Sequence, residues 1–367
     1  MKSDYSDGTL TLFLSGRIDS SNADQVEHDI LNESSTFENV DVAFDASDLE
    51  YISSAGLRVL LKVKKRVKKD IVVRNVSDEV FDIFDVTGFA DIFVIERQMR
   101  LISLKGCRKI SSALNGEIYQ LSDDEMIKVF DRSIPLNDVK KERATAQNAM
   151  VYGVPTLIPY DVVKCEYGYG IVFEKAPMTS LSYLISHNPN KLQMYAVMLA
   201  KLLKELHATE VPNDKFPSIK DRYMGWVKEV DDPNDSKVAM FSSLVDSIPD
   251  KNTYVHGDIN LNSVMVLNDE LLLLDMSGSA YGNPLFDLQA LFASLVGIES
   301  KNEGYCRKTF GITKAACIEF WKYFFDKYMD SNEQEIKAMN SLLAKYFVLK
   351  ENVLNEVEKK HQLGSQE

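Results

Sequence analysis

The sequence predicts two domains, a small α/β domain followed by a larger α+β domain. Three observations lead to this fold class. With 367 residues, the chain is too long for one typical hydrophobic core. Strand-like and helix-like segments alternate in the first hundred residues, as they do in α/β domains. A second group of strand-like segments begins just after residue 100, and long segments of helical periodicity follow it. We place the two domains at residues 1–98 and 99–367.

The period of the apolar residues predicts the elements of the first domain. Alternation of apolar and polar residues indicates half-buried strands, whereas apolar residues three or four apart indicate amphipathic helices. A serine directly before such a segment favours a helix start. The predicted elements are strand Thr9–Leu14, a helix from Ser20 or Ser21 through Leu31, strand Val40–Phe44, a helix that begins at Ser53 or Ser54, strand Ile71–Val73, helix Glu79–Phe89 and a closing segment Ile92–Ile95.

Composition and charge exclude several classes of protein. Hydrophobic residues at 45% and charged residues at 26% are typical of a globular chain. A net charge of -13 argues against unaided binding to nucleic acid or to an anionic membrane. No apolar run approaches the roughly 20 residues that span a bilayer, and the N-terminus lacks the apolar core of a secretion signal. We therefore expect a cytoplasmic protein without nucleic-acid or membrane partners.

The four cysteines predict neither a zinc site nor a disulfide framework. They are scattered, without a C-x-x-C pair and without histidines at ligand spacing, so we expect free thiols. They are Cys107, Cys165, Cys306 and Cys317.

A serine pair stands where the second helix of the first domain begins. Taken alone, Ser53 and Ser54 favour an ordinary helix cap, since serine at that position accepts a backbone N–H bond. The longer segment Asp48-Leu-Glu-Tyr-Ile-Ser-Ser-Ala-Gly-Leu-Arg-Val-Leu-Leu resembles the central segment of STAS domains, including bacterial anti-sigma-factor antagonists. Leu14-Ser-Gly-Arg-Ile-Asp and Phe84-Asp-Val-Thr-Gly-Phe-Ala-Asp-Ile-Phe fit the same family in order.

The STAS resemblance implies a phosphorylation switch and a protein partner. In the antagonists, the switch is the serine two positions before the glycine, which is Ser54 here, before Gly56. Many relatives have Asp directly before the switch, whereas this chain has Ser53. A phosphate at a helix N-terminus meets free N–H groups and the positive end of the helix dipole. The implied partner is an anti-sigma-type regulatory protein, whose docking the added charge would weaken.

Four charged residues of the second domain indicate phosphoryl-transfer chemistry. Lys128 lies inside the apolar strand Met126–Phe130, where a lysine is costly to bury unless it meets an anion. Glu142 follows on a predicted helix, and a lysine on a strand with a glutamate on the next helix is the pair that orients nucleotide phosphates in kinases. Asp258 and Asp275 end two apolar strands around a hairpin whose turn lies near Asn268-Asp269. One would orient or deprotonate a hydroxyl, and the other would hold Mg²⁺.

The second domain as a whole resembles the aminoglycoside phosphotransferase and choline kinase superfamily, which shares the two-lobed protein-kinase fold. The resemblance rests on Tyr254-Val-His-Gly-Asp-Ile-Asn-Leu-Asn-Ser-Val-Met-Val and Leu271-Leu-Leu-Leu-Asp, with Ala280-Tyr-Gly-Asn-Pro-Leu-Phe-Asp-Leu after them. Tyr169-Gly-Ile-Val-Phe-Glu corresponds to the lobe connection, and Leu199-Ala-Lys-Leu-Leu-Lys-Glu-Leu-His-Ala also fits in order. We take His207 in that last segment as a packing and hydrogen-bonding residue.

The superfamily resemblance implies ATP and Mg²⁺ as cofactors. Catalysis falls to Asp258 with Lys128 and Glu142, and metal binding to Asp275. Ser263 occupies the place of the family's asparagine ligand, with Asn262 one position early. The remaining implied nucleotide contacts are the phosphate-covering residues Ser111, Ser112, Ala113, Asn115 and Gly116, with one glycine where relatives have several, and the adenine-side residues Phe173, Glu174 and Ala176.

Three functions fit this sequence. The first is ATP/Mg²⁺-dependent transfer of a phosphoryl group to a hydroxyl acceptor, coupled to the STAS domain. The second is a pseudokinase that senses nucleotide, and the third is partner switching without catalysis. Antibiotic, choline-like amine, sugar and protein hydroxyls are all open as acceptors, with helices from Leu181 onward, including Ile219–Val230, on the acceptor side. The tail Asn332–Gln362 predicts a helix packed on the large lobe, because its heptads do not persist.

Overall fold

The computed structural model describes residues 1–6, 8–35, 40–67, 69–113, 115–230 and 235–364. Leu114, in the expected phosphate-covering loop, lies outside these ranges. The chain divides into two compact units, Met1–Ile102 and Ser103–Glu367. No helix in the described ranges is long and apolar enough to cross a membrane.

The first unit is a sheet flanked by helices. Its elements are β1 (Ser3–Ser6), β2 (Thr9–Ile18), α1 (Ala23–Ser35), β3 (Asp41–Ile52), α2 (Ser54–Val67), β4 (Val72–Val76), α3 (Asp78–Val86) and β5 (Val94–Arg97), with the short strand β6 (Leu101–Ile102) at its end. The sheet has the order β1-β2-β3-β4-β5. β1 is antiparallel to β2, and the remaining neighbours are parallel.

Strand β3 is longer than its alternation pattern predicts. The sequence indicated a strand over Val40–Phe44 followed by a strand and loop, whereas the structure has one strand through Ile52. Two register shifts between β2 and β3 accommodate the irregular part, near Phe13/Ser15 and Gly16/Arg17. Such bulges let a strand continue past residues that break the alternation. As a result, β3 leads directly to Ser53 and the start of α2.

The second unit begins with an antiparallel sheet and one long helix, which form its small lobe. The elements are β7 (Arg108–Ala113), β8 (Gly116–Gln120), β9 (Glu125–Phe130), α4 (Leu136–Val151), β10 (Pro159–Cys165) and β11 (Gly168–Glu174). The sheet contains β10, β11, β9, β8 and β7 in that spatial order. β9 is therefore an interior strand between β8 and β11, and Phe130 packs with Val139 of α4 and Ile171 of β11. This packing places α4 next to the strand that carries Lys128.

The large lobe is mainly helical and contains two small antiparallel sheets. Its elements are β12 (Thr179–Ser180), α5 (Leu181–His187), α6 (Leu192–Leu206), α7 (Ile219–Glu229), α8 (Ser236–Ser247), β13 (Thr253–Val255), β14 (Val264–Leu267), β15 (Glu270–Leu273), β16 (Ala280–Gly282), α9 (Leu285–Phe292), α10 (Ile298–Lys301), α11 (Tyr305–Phe310), α12 (Lys314–Met329) and α13 (Glu333–Gly364). The two sheets are β12-β14-β15 and β13-β16. Asn268 and Asp269 both have positive φ in the turn between β14 and β15, as the tight turn of a hairpin requires.

The terminal helix α13 packs on the large lobe, as the broken heptads indicated. It contacts α7, α8 and α9. Tyr346 of α13 meets Phe241 and Phe286 edge-to-face, with ring centroids 5.7 and 6.3 Å apart. These fully buried aromatic rings pack α13 against α8 and α9.

Candidate active site

The lysine inside the apolar strand meets two carboxylates. Lys128 of β9 is 7% exposed, and its Nζ donates to Glu142 Oε1 of α4 at 2.7 Å. The same Nζ lies 3.7 Å from Asp275 Oδ1, whose side chain is half exposed. A buried ammonium is tolerated only when it is paired in this way. Three of the residues singled out in the sequence thus come together across the two lobes of the second unit.

A mostly apolar cavity that is open to solvent lies beside this cluster. Phe173, at the end of β11, lines it together with Lys128 and Asp275. The neighbouring Glu174 is held in place, because its Oε1 accepts from Ile158 N at 2.9 Å. Ala176 follows, and its carbonyl accepts from Met178 N at 2.8 Å. The cavity therefore has an apolar interior with one cation and one exposed carboxylate at its edge.

A larger open cleft lies on the α4 side of the small lobe. It has a volume of about 740 Å³ and includes Asn115, Glu142 and Ser277 in its lining. Asn115 belongs to the expected phosphate-covering loop, and its carbonyl accepts from Asp131 N at 3.1 Å.

The loop expected to cover the phosphates is a hairpin turn between β7 and β8. Ser111 and Ser112 are exposed on β7, opposite Ile118 and Glu117, and Ala113 pairs with Gly116. Gly116 has φ +156°, and a Cβ there would lie 2.0 Å from the Val129 carbonyl oxygen of β9. This glycine is therefore required by the close approach of β8 to β9. In glycine-rich loops, by contrast, several glycines let the backbone reach a phosphate.

Asp258 projects from a loop that a buried carboxylate holds from behind. Asp258 is exposed, whereas Asp287 at the start of α9 is 1% exposed. Asp287 Oδ2 accepts from His256 N at 2.7 Å, and its Oδ1 accepts from Gly257 N at 2.6 Å. His207 Nε2 lies 3.1 Å from the same Oδ2. The backbone that presents Asp258 is thus fixed by one side chain through two consecutive amides.

The charge on Asp287 is stabilised despite its burial. Burial alone works against ionisation, but the hydrogen bond and attraction of His207, the attraction of His256 and the Gly257 amide outweigh it. The pKa of Asp287 consequently lies below its ordinary value. A hydrogen bond to an ionised acceptor is stronger than one to a neutral acceptor. The ionised Asp287 carboxylate therefore holds the Asp258 loop more firmly than the protonated form would.

Two glycines let the Asp258 loop and the loop after Asp275 approach each other at backbone level. Gly257 has φ +82°, and a Cβ there would lie 2.1 Å from the Gly278 carbonyl oxygen. At Gly278, a Cβ would lie 2.8 Å from the His256 carbonyl oxygen. Arg222 of α7 donates to the Gly278 carbonyl at 2.7 Å and closes this junction.

The two expected metal positions differ in their surroundings. Asp275 has a left-handed backbone, with φ 60° and ψ 56°, which is uncommon for a residue with a Cβ and recurs at functional sites. Ser263 is 2% exposed, and its Oγ donates to Asn260 O and accepts from Asn260 N, both at 3.0 Å. One lone pair of that oxygen remains. Asn262 is engaged elsewhere, accepting from Ser182 Oγ and donating to Thr309 O.

Within the described residues, no group of three or more His, Cys, Asp or Glu side chains could hold a metal by itself. All four cysteines are free thiols in the structure. Of these, Cys165, Cys306 and Cys317 are buried.

The serine pair of the first unit divides into a capping residue and an exposed residue. Ser53 Oγ accepts from Ala55 N at 3.2 Å, and Ser53 O accepts from Leu57 N, so Ser53 caps α2. Ser54 is the first residue of the helix, and its side chain is exposed. Gly56 lies against the sheet, where a Cβ would come within 2.7 Å of Ile18 and Ile52. The sequence left open which of the two serines caps α2, and in the structure it is Ser53.

The family of the chain follows from its second unit. Residues 106–303, more than half of the chain, match the model of the phosphotransferase enzyme family. The chain belongs to the phosphotransferase enzyme family. Residues 2–101 of this phosphotransferase-family protein match the STAS domain model. The fold class predicted from the sequence, an α/β STAS domain before an α+β kinase-like domain, is confirmed.

Curated relatives match the STAS domain of this phosphotransferase-family protein. A putative anti-sigma factor antagonist, BtrV of Bordetella bronchiseptica, is 36% identical over 95 residues, which are 25% of this chain and 81% of the relative. An anti-sigma-B factor antagonist of Listeria monocytogenes is 28% identical over 90 residues, 24% of this chain and 78% of the relative.

Solved structures similar to the second unit are aminoglycoside phosphotransferases. APH(3'')-Id from Streptomyces rimosus has a TM-score of 0.46 at 14% identity and covers 66% of this chain and 93% of its own. APH(4)-Ia has a TM-score of 0.48 at 13% identity and covers 70% of this chain and 88% of its own. Both scores are below 0.5, and the family assignment rests on the sequence match.

The role of Asp287 in holding the Asp258 loop of this phosphotransferase-family protein was not predicted from the sequence. The residue stood in a segment quoted only for its resemblance, Leu285-Phe-Asp-Leu. The sequence nonetheless contains a pattern that singles out Asp287, because all residues from Leu285 to Phe292 apart from Asp287 and Gln289 are apolar. A carboxylate in so apolar a helix must have hydrogen-bond partners inside the protein.

Proposed function

We propose that this protein is an ATP/Mg²⁺-dependent phosphotransferase that acts on a hydroxyl acceptor and is coupled to a regulatory STAS domain. The observation that supports it best is the buried Lys128 in contact with both Glu142 and Asp275 beside an apolar cavity. A structural ion pair has no need of a second, half-exposed carboxylate. A site that binds a nucleoside triphosphate with a metal needs a cation for the phosphates and a carboxylate for the metal at this place.

The proposed reaction forms one bond and breaks one. The acceptor hydroxyl oxygen attacks the γ-phosphorus of ATP, while the bond from that phosphorus to the β–γ bridging oxygen breaks and its electron pair leaves with ADP. The hydroxyl proton passes to the Asp258 carboxylate and then to solvent. Asp258 is suited to this task because it is exposed on a loop that Asp287 holds through the His256 and Gly257 amides.

The small lobe would hold the nucleotide. Lys128, oriented by Glu142, would contact the phosphates, and the apolar cavity beside Phe173 would take the adenine. We propose that backbone groups of Glu174 and Ala176, which follow Phe173 along the chain, bind the adenine as well. In this proposal, Ser111, Ser112, Ala113, Asn115 and Gly116 lie over the phosphates, held by hairpin pairing rather than by several glycines.

The metal would lie between the phosphates and Asp275. Oxygen donors suit Mg²⁺, which keeps several waters and takes one or two carboxylates plus phosphate oxygens, so the absence of a larger acidic cluster among the described residues fits this metal. Bound Mg²⁺ would neutralise charge on the transferring group. We propose Asp275 as its main ligand and the remaining lone pair of Ser263 Oγ as a weaker second one.

The STAS domain would serve as an anti-sigma-antagonist-type switch with Ser54 as its phosphorylation site. The similarity to antagonists supports the partner class, an anti-sigma-type regulatory protein. The exposure of Ser54 supports the site, since Ser53 rather than Ser54 caps α2. A phosphate on Ser54 would lie at the helix N-terminus and place roughly two negative charges on the docking surface.

Nucleotide titration on the full chain tests the enzymatic proposal. We expect calorimetry to show ATP binding that requires Mg²⁺ and weakens in Lys128→Met, whereas Lys164→Met, an exposed lysine of β10, behaves as the wild type. Asp258→Asn should bind ATP normally but lose turnover, with Asp246→Asn as its exposed control. No binding at millimolar ATP would contradict the proposal, and binding without any turnover in the wild type would leave the pseudokinase.

Phosphosite mapping tests the switch. After incubation with ATP, and in protein taken from its native cell, mass spectrometry should find phosphate on Ser54. Ser54→Ala is the control for the site, and Asp258→Asn distinguishes the chain's own activity from that of a separate kinase. An unmodified Ser54 in both samples would contradict the switch.

A further inference from the structure

Helix α7 presents a cation and an aromatic ring next to the Asp258 loop. Arg222 and Trp226 are four residues apart and therefore share one face of the helix. The Arg222 guanidinium lies against the loop, since its Nη1 is 3.1 Å from where a Cβ of Gly257 would be. Its one bond to Gly278 O leaves further donors of the guanidinium for a bound group.

Helix α13 adds a second cation to the same surface. Lys350 Nζ donates to Tyr223 OH at 2.9 Å and to Gln289 Oε1 at 3.2 Å. It also stands over the rings of Tyr223 and Trp226, 4.8 and 5.4 Å from their centroids. A lysine has three donors, so two protein bonds leave one for a bound group. Lys350 is half-buried, and no carboxylate pairs with it within the described residues.

The segment from α10 to α11 contacts both α13 and the Asp258 loop. Lys301, at the end of α10, stands 4.9 Å from the ring centroid of Phe347, one turn before Lys350 on α13. Asn262, in the Asp258 loop, donates to Thr309 O of α11 at 3.0 Å.

These observations define an acceptor patch composed of Arg222, Trp226 and Lys350. From it, and resting on the proposed function, we infer that the hydroxyl acceptor of this enzyme carries a negative charge of its own, as a carboxylate or phosphate. In a chain with a net charge of -13, cations grouped around aromatic rings beside the catalytic carboxylate are unexpected unless they bind an anion. Grouped cations with unused donors are the chemistry that binds anions.

The same patch argues against amines as acceptors. A positively charged substrate would meet Arg222 and Lys350 at short range, and like charges in a partly desolvated site cost free energy. An anion gains charge-assisted hydrogen bonds from the free donors, and Trp226 provides an apolar wall for the carbon skeleton. Arg222 next to Gly257 would hold the anion close to Asp258 without occupying the proton-accepting oxygens.

A panel of matched acceptors tests this inference with the full-length protein. Gluconate and glucose 6-phosphate are anionic, glucose is neutral and glucosamine is cationic, while all four offer primary or secondary hydroxyls. Phosphoryl transfer from radiolabelled ATP is measured for each, and calorimetry with a non-hydrolysable ATP analogue measures binding independently. We expect kcat/KM for at least one anion to exceed that for glucose by about tenfold or more, with glucosamine lowest.

Variants separate the patch from the nucleotide site. Lys350→Met should raise KM for the anionic acceptor about tenfold more than KM for glucose, whereas Lys345→Met, an exposed lysine of the same helix, should change neither. Transfer to glucose or glucosamine as good as to the anions would overturn the inference while upholding the proposed function. Failure of both anions to bind or react in a protein that binds ATP would also overturn it. Absence of ATP binding would instead overturn the proposed function.

Discussion

Replacing Asp287 by alanine should destabilise the large lobe and abolish transfer together. The substitution removes the acceptor of the His256 and Gly257 amides and the partner of His207 Nε2, all inside the protein. Each buried donor left without a partner costs about 1–3 kcal/mol. The two amides alone therefore predict a loss of roughly 2–6 kcal/mol in the free energy of unfolding.

The loss is large compared with the stability of a typical domain. At about 2–4 °C per kcal/mol for a domain of this size, the melting temperature should fall by on the order of 10 °C. Both tryptophans, Trp226 and Trp321, lie in the second unit, so tryptophan fluorescence reports on its unfolding specifically. Asp258→Asn is the matched control, because its exposed side chain should leave stability unchanged while transfer is lost.

The effect should also depend on pH. Because the pKa of Asp287 is lowered in the folded protein, its contribution to stability is present above the pKa of the unfolded state and is lost as the pH falls through the folded pKa. The difference between wild type and Asp287→Ala should therefore be full near neutrality and narrow in acid. A variant that melts with the wild type at neutral pH, or a difference that grows in acid, would refute this reasoning.

Three further predictions concern single residues. Gly257→Ala should abolish transfer, measured with ATP, because its Cβ would lie 2.1 Å from the Gly278 carbonyl oxygen; unchanged activity would show that the two loops can separate. Ser53→Ala should speed hydrogen exchange in α2, at a cost of about 1 kcal/mol for a lost cap, whereas Ser54→Ala should not; equal effects would contradict the division between them. Ser263→Asn should lower the Mg²⁺ concentration for half-maximal transfer, and Ser263→Ala should raise it; no change in either would remove Ser263 from the metal site.

The sequence predicted the charged cluster because burying charge leaves a pattern. A lysine between apolar residues of a strand needs an anion, and the glutamate on the next helix was the nearest candidate. The structure brings Lys128 and Glu142 to 2.7 Å and adds Asp275 at 3.7 Å. The turn of the β14–β15 hairpin was predictable for a similar reason, since Asn and Asp tolerate positive φ.

Other features depend on contacts that no local pattern contains. The bulges that extend β3 to Ile52 arise from its pairing with β2, and which serine caps α2 depends on how β3 enters the helix. The donors that surround Asp287 come from two separate segments of the chain, one at His207 and one at His256 and Gly257. The acceptor patch is similar, because Arg222 and Lys350 are brought together only by the packing of α13 on α7.

The burial of Asp287 has a consequence for how this protein can change over evolutionary time. If a lineage no longer needed catalysis, substitutions at the exposed Asp258 would be nearly neutral for folding and would accumulate early. Asp287 would persist long afterwards, because its loss threatens the whole lobe. In a descendant of this chain, an intact Asp287 would therefore show only that the fold is retained. Loss of catalysis would be visible first as a substitution at Asp258.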